Sequence, residues 1–384
     1  MIGMIRMFRP LAAGVLAVLL FSLPCATAIA QQGQRQAQDV IRARVNQGTV
    51  GIISGGVNGT YIRIASDLAS VLDNGDELRI LPIVGKGSVQ NITDILYLRG
   101  IDIGIVQSDV LTYIARQGIH PTIEKRIRYI TKLYNEEFHL LAGEGIETIQ
   151  DLAGKKVNFG IAGSGTYMTA STIFNDLGID VEPVSYDQAL ALEKLKSGEI
   201  AGMVYVAGKP TSLFANLEPT GGVHFVAIPP TAKLLETYLP SQFSHEDYPL
   251  LVSEGKPVET VAVGAVMAVY NWDPQTDRYR KVENFVNAFF NNFDEFLKPP
   301  RHQKWQEVNL AAVVPGWIRF KPAERWLDTR STSAGPGYNL EQRKMFETFL
   351  KFLQESGEVG QTISDKERAG LFNKFLQWQQ GQRP

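Results

Sequence analysis

Three short turns hold the polar groups best suited to bind a ligand. They lie at residues 54–59, 85–88 and 163–166, with the sequences Ser-Gly-Gly-Val-Asn-Gly, Gly-Lys-Gly-Ser and Gly-Ser-Gly-Thr. Each turn follows an apolar strand pattern and precedes a helix pattern. Glycine lets a ligand approach the backbone closely, and free N–H groups at the start of a helix attract anions. The turns therefore predict a site for a small anion, with ordinary strand-to-helix connections as the alternative.

The residues that could carry out catalysis or hold a metal show no matching pattern in the sequence. None of the five histidines has another histidine three or four positions later, so no helical zinc pair is present. The sequence has neither a G-x-S-x-G elbow nor a phosphate-binding G-x-x-x-x-G-K motif. The adjacent Glu136 and Glu137 are expected on opposite faces of a solvated strand edge. We expect a binding protein, with a triad assembled from distant residues as the alternative.

The composition is typical of a globular protein. The chain has 384 residues, of which 44% are hydrophobic and 20% are charged, and its formal net charge is −2. These values exclude a disordered chain and, without a basic excess, argue against nucleic-acid binding. The length predicts two domains or one α/β unit with two lobes. A single cysteine, Cys25, excludes a disulfide framework.

Residues 1–30 have the pattern of a secretory signal peptide. Arg6 and Arg9 precede an apolar run from Leu11 to Leu23, and Ala28-Ile29-Ala30 has the small residues of a cleavage site. We therefore expect a mature protein in the periplasm, cleaved near Ala30. An uncleaved anchor is the alternative, although the apolar run is short for a membrane span of about 20 residues.

The remaining sequence alternates strand and helix patterns in two similar series, which predicts parallel sheets. The late apolar stretch Val258–Tyr270 is expected to be a strand that crosses back between two lobes. The predicted organisation is a signal peptide at 1–30, a flexible leader at 31–47, lobe 1 at 48–140 plus 262–320, lobe 2 at 141–261, and a C-terminal helical extension at 321–384.

Several motifs occur in the order and spacing of one protein family. The segment at 54–61, Ser-Gly-Gly-Val-Asn-Gly-Thr-Tyr, resembles the opening motif of the TAXI family. Further segments similar to motifs of that family are Gly87–Asn91, Gly104–Asp109, Gly163–Thr166, Gly198–Ile200 and Gly208–Pro210. The likeness covers roughly residues 48–320. It rests on the order of the motifs, since no single one is specific.

TAXI proteins are the extracytoplasmic solute receptors of tripartite ATP-independent periplasmic (TRAP) transporters. The resemblance implies an α/β fold of the bilobed, type II-like periplasmic binding protein class, with two parallel-rich sheet lobes joined by a hinge and extra C-terminal helices. It also implies a small organic anion, a carboxylate or an amino acid, that is captured in the cleft and delivered to the TRAP permease subunits. We expect a monomer without cofactor, metal or catalytic residues.

The matched positions, together with one lysine, define the predicted ligand-binding set: Ser54, Gly56, Tyr61, Lys86, Ser88, Asn91, Gln107, Ser164, Gly165, Thr166 and Tyr205. Tyr61 and Tyr205 are predicted as apolar walls with polar tips, with a core tyrosine as the alternative for Tyr61. Three residues depart from the family pattern. Ile62 removes a phenol, Lys86 adds a cation beside the cleft unless it faces solvent, and Lys209 stands where an aromatic is frequent.

Two other functional classes stay open at this stage. A binding protein that serves an ABC importer or a sensor kinase would have the same fold. A secreted enzyme on a bilobed scaffold would need a positioned base, for which the sequence shows no pattern.

Overall fold

The computed structural model describes residues 32, 34–43, 46–75, 77–331, 350, 354 and 371. The chain divides into two compact units at Thr49 and Val50. In the first unit, residues 34–43 are helical and exposed. The glutamines, arginines and alanines of this segment are good helix formers. That the leader at 31–47 is flexible stays a prediction.

The second unit alternates strands and helices. The strands are β1 (Thr49–Ile53), β2 (Arg79–Ile83), β3 (Ile103–Gln107), β4 (Ile127–Ala142), β5 (Lys156–Asn158), β6 (Glu182–Val184), β7 (Gly202–Ala207), β8 (His224–Phe225), β9 (Leu239–Phe243) and β10 (Val258–Tyr270). The α-helices are α1 (Thr60–Leu72), α2 (Ser88–Tyr97), α3 (Val110–Arg116), α4 (Ile123–Arg126), α5 (Gly165–Asp176), α6 (Gln188–Lys196), α7 (Ala232–Leu235), α8 (Asp277–Asn291), α9 (Phe293–Phe296) and α10 (Lys321–Ser331).

The strands form one sheet in the order β2-β1-β3-β10-β4-β7-β5-β6, with β8 on β4 and β9 on β10. β1 and β3 are parallel, and β5 is parallel to both β6 and β7. The two long strands β4 and β10 are antiparallel to each other. The C-terminal part of β10 pairs with β3, and the C-terminal part of β4 pairs with β7. The strands β1, β2 and β3 are thus joined to β10, and the strands β5, β6 and β7 are joined to β4. The predicted bilobed α/β fold is confirmed.

Buried apolar side chains form separate clusters in the two halves, and a further cluster joins Met168 of α5 to side chains of the first half. In the first half, Leu68 of α1, Ile105 of β3 and Phe289 of α8 belong to one core cluster. In the second half, Ile173 of α5 and Val204 of β7 belong to another. We use "first half" for residues 50–136 and 264–323 and "second half" for residues 137–263. The exact lobe boundaries given above stay a prediction.

The crossing strand predicted from Val258 to Tyr270 has those bounds in β10. Its partner β4 has 16 residues and is not evident as an apolar run, because charged and polar residues interrupt it. The amphipathic helix predicted at 278–297 is two helices, α8 and α9, separated at Asn292.

Two predicted regions lie outside the described residues. They are the signal peptide at 1–30 and most of the C-terminal extension, of which α10 and residues 350, 354 and 371 are described. Among the described residues, no helix is both long enough and apolar enough to cross a membrane.

Candidate functional site

Three helix N-termini meet at one cavity between the two halves. α1 begins at Thr60, α2 at Ser88 and α5 at Gly165. The cavity has a volume of about 60 Å³, and residues of both halves line it: Gly55, Gly56, Gly59, Thr60, Tyr61, Lys86, Gly87, Ser88, Gln107, Glu136, Ser164, Gly165, Thr166, Tyr205, Val206 and Ala207. The three glycine-rich turns of the sequence therefore face a common space, which can hold roughly four to six water-sized groups.

Nine of the eleven predicted ligand-binding residues line this cavity: Gly56, Tyr61, Lys86, Ser88, Gln107, Ser164, Gly165, Thr166 and Tyr205. That they bind a ligand stays a prediction. Ser54 and Asn91 do not line it, because their side chains are fully buried and bonded to backbone. Ser54 Oγ donates to the carbonyl of Ile83 at 2.7 Å. Asn91 Nδ2 donates to the carbonyls of Ser54 and Ile105, each at 2.8 Å. These two residues hold the ends of β1, β2 and β3 together, so we correct their role from ligand contact to positioning.

Gln107, at the end of β3, presents its amide nitrogen as a free donor. Its backbone N–H donates to Ser88 Oγ at 2.9 Å, and Ser88 Oγ donates in turn to Gln107 Oε1 at 3.3 Å. Thr169 Oγ1 of the second half also donates to Gln107 Oε1, at 3.3 Å. Two hydroxyl donors fix the amide oxygen as the acceptor. Within the described part of the chain, Nε2 of Gln107 has no hydrogen-bond partner and is available to an acceptor in the cavity.

The second half supplies further donors at the start of α5. Ser164 is the N-cap, and its Oγ accepts from the backbone N–H of Tyr167 at 3.1 Å. Thr166 Oγ1 accepts from the backbone N–H of Val206 at 3.1 Å. Both hydroxyl hydrogens remain to donate. The N–H groups of Gly165 and Thr166, in the first turn, have no carbonyl partner in their own helix.

Glu136 lines the cavity, although the sequence pattern does not predict it as a site residue. Its side chain is 2% exposed and lines the cavity, and Glu137 is equally buried. The prediction of a solvated strand edge is therefore wrong, because β4 runs through the centre of the sheet with a neighbour on either side. The expected opposite orientation does hold: Glu136 Oε2 accepts from Tyr61 Oη at 2.6 Å, while Glu137 Oε1 accepts from Lys304 Nζ at 3.0 Å.

Burial raises the pKa of Glu136 to about 8, and the nearby charge of Glu137 adds to the effect while the hydrogen bond from Tyr61 opposes it. The carboxyl is therefore mostly protonated at neutral pH. Two acids inside an otherwise largely apolar run, Leu133 to Ala142, are the sequence signal for this site, because strands buried on both faces rarely contain acids without a functional or structural partner.

Tyr61 and Tyr205 are each both a core residue and a residue of the cavity wall. Each is less than 10% exposed and packs in an apolar cluster, yet each also lines the cavity. Tyr61 Oη donates to Glu136, whereas the hydroxyl of Tyr205 has no hydrogen-bond partner among the residues that the structure describes. Burial raises the pKa of both tyrosines, so both hydroxyls keep their protons.

The two lysines that depart from the family pattern have different positions. Lys86 lines the cavity but its side chain is exposed, which places it at the entrance. Lys209 is not part of the lining: its Nζ donates to Asp247 Oδ2 at 2.8 Å and to the carbonyl of Gln242 at 2.6 Å. Lys209 is therefore held by an ion pair of the second half.

The two halves are in direct contact around the cavity. The backbone N–H of Gln90 donates to the carbonyl of Gly163 at 3.0 Å. At a second contact, Thr60 Oγ1 donates to the carbonyl of Gly208 at 3.2 Å, and Ser212 Oγ donates to that of Asn58 at 3.1 Å. These bonds join residues far apart in the sequence across the cavity, so the structure corresponds to a closed conformation.

The sequence that forms this site matches a known protein family. The model of the NMT1-like family matches residues 52–318, which is more than half of the chain. The chain belongs to the NMT1-like family. The matched range includes every residue of the cavity lining and both long strands. Within the described residues, no group of three or more histidines, cysteines, aspartates or glutamates is placed to hold a metal ion.

The solved structures that resemble this protein have low sequence identity to it. A periplasmic transporter protein is 15% identical over 66% of this chain and 84% of its own, with a TM-score of 0.42. An adipate-bound protein of R. palustris is 15% identical over 63% and 82%, with a TM-score of 0.41. An ancestral arginine-binding protein bound to arginine is 16% identical over 67% and 98%, with a TM-score of 0.40. Likenesses at this level do not assign a ligand to this chain.

Proposed function

We propose that this NMT1-like family member is a TAXI-type extracytoplasmic solute receptor. In this proposal the protein captures a small organic anion, a carboxylate or an amino acid, between its two halves and delivers it to the permease of a TRAP transporter. Three kinds of observation support the proposal: the family match, the ordered motifs that resemble the TAXI family, and a cavity enclosed by both halves.

The observation that carries the proposal is the convergence of three helix N-termini on one cavity. Each N-terminus has unsatisfied N–H groups and a partial positive charge of roughly half an elementary charge. The hydroxyls of Ser164 and Thr166 and the amide of Gln107 add side-chain donors. Such a set of donors matches the oxygens of a carboxylate. Among the described lining residues, Glu136 is the acidic side chain that could attract a cation, and burial keeps it mostly protonated.

The charge of the ligand also follows from what the cavity lacks. Among the described residues that line it, the side chains of Lys86 and Glu136 are the ones that can carry charge near neutral pH. Tryptophan, on which sugars commonly stack, is absent from that lining. The described lining contains no arginine. We therefore expect the ligand to be an anion whose charge is balanced by the helix N-termini.

Ligand binding is testable with a panel of small acids. We would measure thermal stabilisation of the purified protein, then calorimetric titration, with acetate, L-lactate, L-alanine, succinate, 2-hydroxyglutarate and L-glutamate. We expect at least one of these carboxylates to bind, and a panel of neutral sugars and of amines without a carboxylate to leave the melting temperature unchanged. Stabilisation by sugars or simple amines alone would contradict the proposed ligand class.

Delivery to a TRAP permease is a separate claim with its own test. TRAP transport is independent of ATP, so uptake of the bound acid by cells that produce this protein should stop when ion gradients are collapsed. An ATP-driven importer would instead stop when ATP is depleted with the gradients maintained. Uptake that follows ATP and not the gradient would assign the protein to an ABC importer, while the binding site proposed above would stand.

A further inference from the structure

We propose that Glu136 binds the ligand as a carboxylic acid, donating a hydrogen bond from its Oε1 to the ligand carboxylate, so that binding at alkaline pH takes up one proton. The inference rests on the proposed function, because it takes the ligand to be an organic anion. It adds to that function a binding residue outside the family motifs and a preference among ligands.

The position of Glu136 makes it a ligand contact. It lies near the middle of β4, where this strand leaves its pairing with β10 and begins its pairing with β7. Its side chain is 2% exposed and forms part of the cavity wall. Oε2 is engaged by the hydroxyl of Tyr61 at 2.6 Å. Oε1 has no hydrogen-bond partner within the described residues, and so it is the oxygen available to a ligand.

No cation of the described residues forms an ion pair with Glu136. Lys304, a buried cation whose charge acts on Glu136, donates instead to Glu137 Oε1 at 3.0 Å and to Glu307 Oε1 at 2.7 Å. Lys86 is exposed at the entrance. An ionised carboxylate that is buried with one neutral hydrogen bond would be costly, so the group responds by keeping its proton.

The surrounding ionisable groups act in both directions on the pKa of Glu136. Burial is the main reason that the pKa of Glu136 is raised to about 8. The charges of Glu137 and Asp109 raise this pKa further, whereas Lys304 and the hydrogen bond from Tyr61 lower it. The ionisable groups that surround it are Tyr61 of α1, Lys86 of the turn at 85–88, Asp109 before α3, Tyr134 and Glu137 of β4, Tyr205 of β7, and Lys304 and Glu307 of the helical turn Gln303–Glu307.

A protonated Glu136 and a carboxylate ligand complement each other. The O–H of the acid donates to the ligand carboxylate, and such charge-assisted O–H···O bonds are short and strong. Two ionised carboxylates in the same cavity would repel each other, so above the pKa of the empty site each bound anion requires one proton from solvent. No covalent bond changes in this step. An ammonium group gains nothing from the neutral acid, so a hydroxy acid should bind at least as tightly as the matching amino acid.

Two matched pairs of probes test this assignment: L-lactate with L-alanine, and 2-hydroxyglutarate with L-glutamate. Each pair differs in a hydroxyl or an ammonium at one carbon. Calorimetric titrations from pH 6 to pH 9.5, in buffers with different ionisation enthalpies, report both the affinity and the number of protons taken up. With a pKa of about 8 for Glu136, the affinity for the hydroxy acid should fall roughly 30-fold between pH 7 and pH 9.5, with uptake rising towards one proton.

The variant Glu136→Gln keeps a donor at this position but cannot ionise. We expect it to bind the hydroxy acid about tenfold more weakly at pH 6, because a neutral amide is the poorer donor, and to lose both the pH dependence and the proton uptake. The proton count of the wild-type protein tests the proposal even if the variant does not fold.

The alternative outcomes each have a defined meaning. Hydroxy-acid binding without pH dependence or proton uptake would overturn the role of Glu136 and leave the proposed function standing. Tighter binding of the amino acids, with an affinity that rises through pH 8, would show an ionised Glu136 paired with an ammonium and would also overturn it. Binding of neither pair, nor of any other carboxylate of the panel, would overturn the proposed function as well.

Discussion

Ser164 combines two functions in one hydroxyl. Its oxygen caps α5 by accepting from Tyr167, and its hydrogen is free to donate to an anion in the cavity. Under the proposed function, a substitution therefore removes a helix cap and a ligand contact together. Thr276, which caps α8 by accepting from Tyr279 at 3.2 Å, has only the first of these functions and provides a matched comparison.

We predict that Ser164→Ala weakens binding of the organic anion by about ten- to a hundredfold. The reason is that a lost charge-assisted hydrogen bond costs about 1.5–3 kcal/mol when the partner is left unpaired in a closed site. The lost cap costs a further ~1 kcal/mol of folding stability. Calorimetric titration measures the first effect and thermal unfolding the second.

Thr276→Ala is the control for this prediction. It should lower the melting temperature as much as Ser164→Ala does, and leave the affinity at the wild-type value. Equal affinities for wild type and Ser164→Ala would show that the turn at 163–166 is only a connection. Thr166→Val is a less suitable test, because it would also leave the buried N–H of Val206 without its acceptor.

The proton of Glu136 has a consequence for stability in the absence of ligand. The folded protein holds this proton up to a pKa of about 8, whereas an unfolded chain releases it near its ordinary value of 4.5. The contribution of Glu136 to stability is therefore fully present below about pH 4.5 and is lost as the pH rises through 8. From pH 6 to pH 9 the loss is about 2–3 kcal/mol.

Thermal unfolding of the ligand-free protein between pH 6 and pH 9 measures this loss. Asp109, whose pKa burial raises to about 7, contributes in the same direction. The difference between wild type and Glu136→Gln therefore isolates Glu136. We expect the fall in melting temperature with pH to be smaller in the variant, and identical slopes would contradict a protonated Glu136.

At the level of single residues, the sequence identifies side chains in turns better than side chains in strands. The glycines and hydroxyls of the turns have a local pattern, and the structure brings most of them to one cavity. Glu136 has no such pattern, because its burial depends on two strands that pair with β4 from distant parts of the chain. Ser54 shows the reverse error: it has the right chemistry but its hydroxyl is already bonded to Ile83.

At the level of the elements, close contact between the turns depends on glycine at Gly165. A Cβ added there would lie 2.5 Å from Ser88 Oγ and closer still to Gln107 Oε1, both of which belong to the first half. The first turn of α5 can approach the first turn of α2 only because this position has no side chain. The glycine is therefore needed for closure, not for the conformation of the turn itself, since its φ is in the ordinary range.

We predict that Gly165→Ala weakens anion binding by at least about tenfold, because the methyl group keeps the two halves apart and leaves donors of the first half out of reach. Gly143→Ala is the control, since its added Cβ would have a single neighbour, Leu195, at 4.0 Å. Titration of both variants decides the matter, and wild-type affinity in Gly165→Ala would contradict the closed geometry.

The two long strands show what periodicity can and cannot predict. β10 is apolar from Val261 to Tyr270, with Glu259 and Thr260 near its start, and its bounds follow directly from the sequence. β4 has the same structural role but contains Lys132, Asn135 and the two glutamates, which satisfy their polar groups only through partners in the folded protein. The parallel strands and their helices are predictable as repeated local units, whereas the connection between the two halves is not.

For the molecule as a whole, the contacts between the halves predict a hinge motion. The bonds from Gln90 to Gly163 and from Thr60 to Gly208 join the two halves beside the cavity, so they must break if the halves are to separate. β4 and β10 are the strands that continue from one half to the other and are the expected hinge.

We therefore expect the radius of gyration, measured by small-angle scattering, to fall when a binding carboxylate is added to ligand-free protein. Gly165→Ala should remain at the larger value under the same conditions, because its added methyl group obstructs closure. An unchanged radius of wild type at saturating ligand would indicate a rigid cavity in place of a hinge.

Native mass spectrometry of the purified full-length protein is the decisive measurement for the anion site. We predict one small organic acid bound per chain, retained by Thr276→Ala and lost or much reduced in Ser164→Ala. A bound sugar or simple amine, or an acid retained equally by both variants, would contradict an anion site at the three helix N-termini.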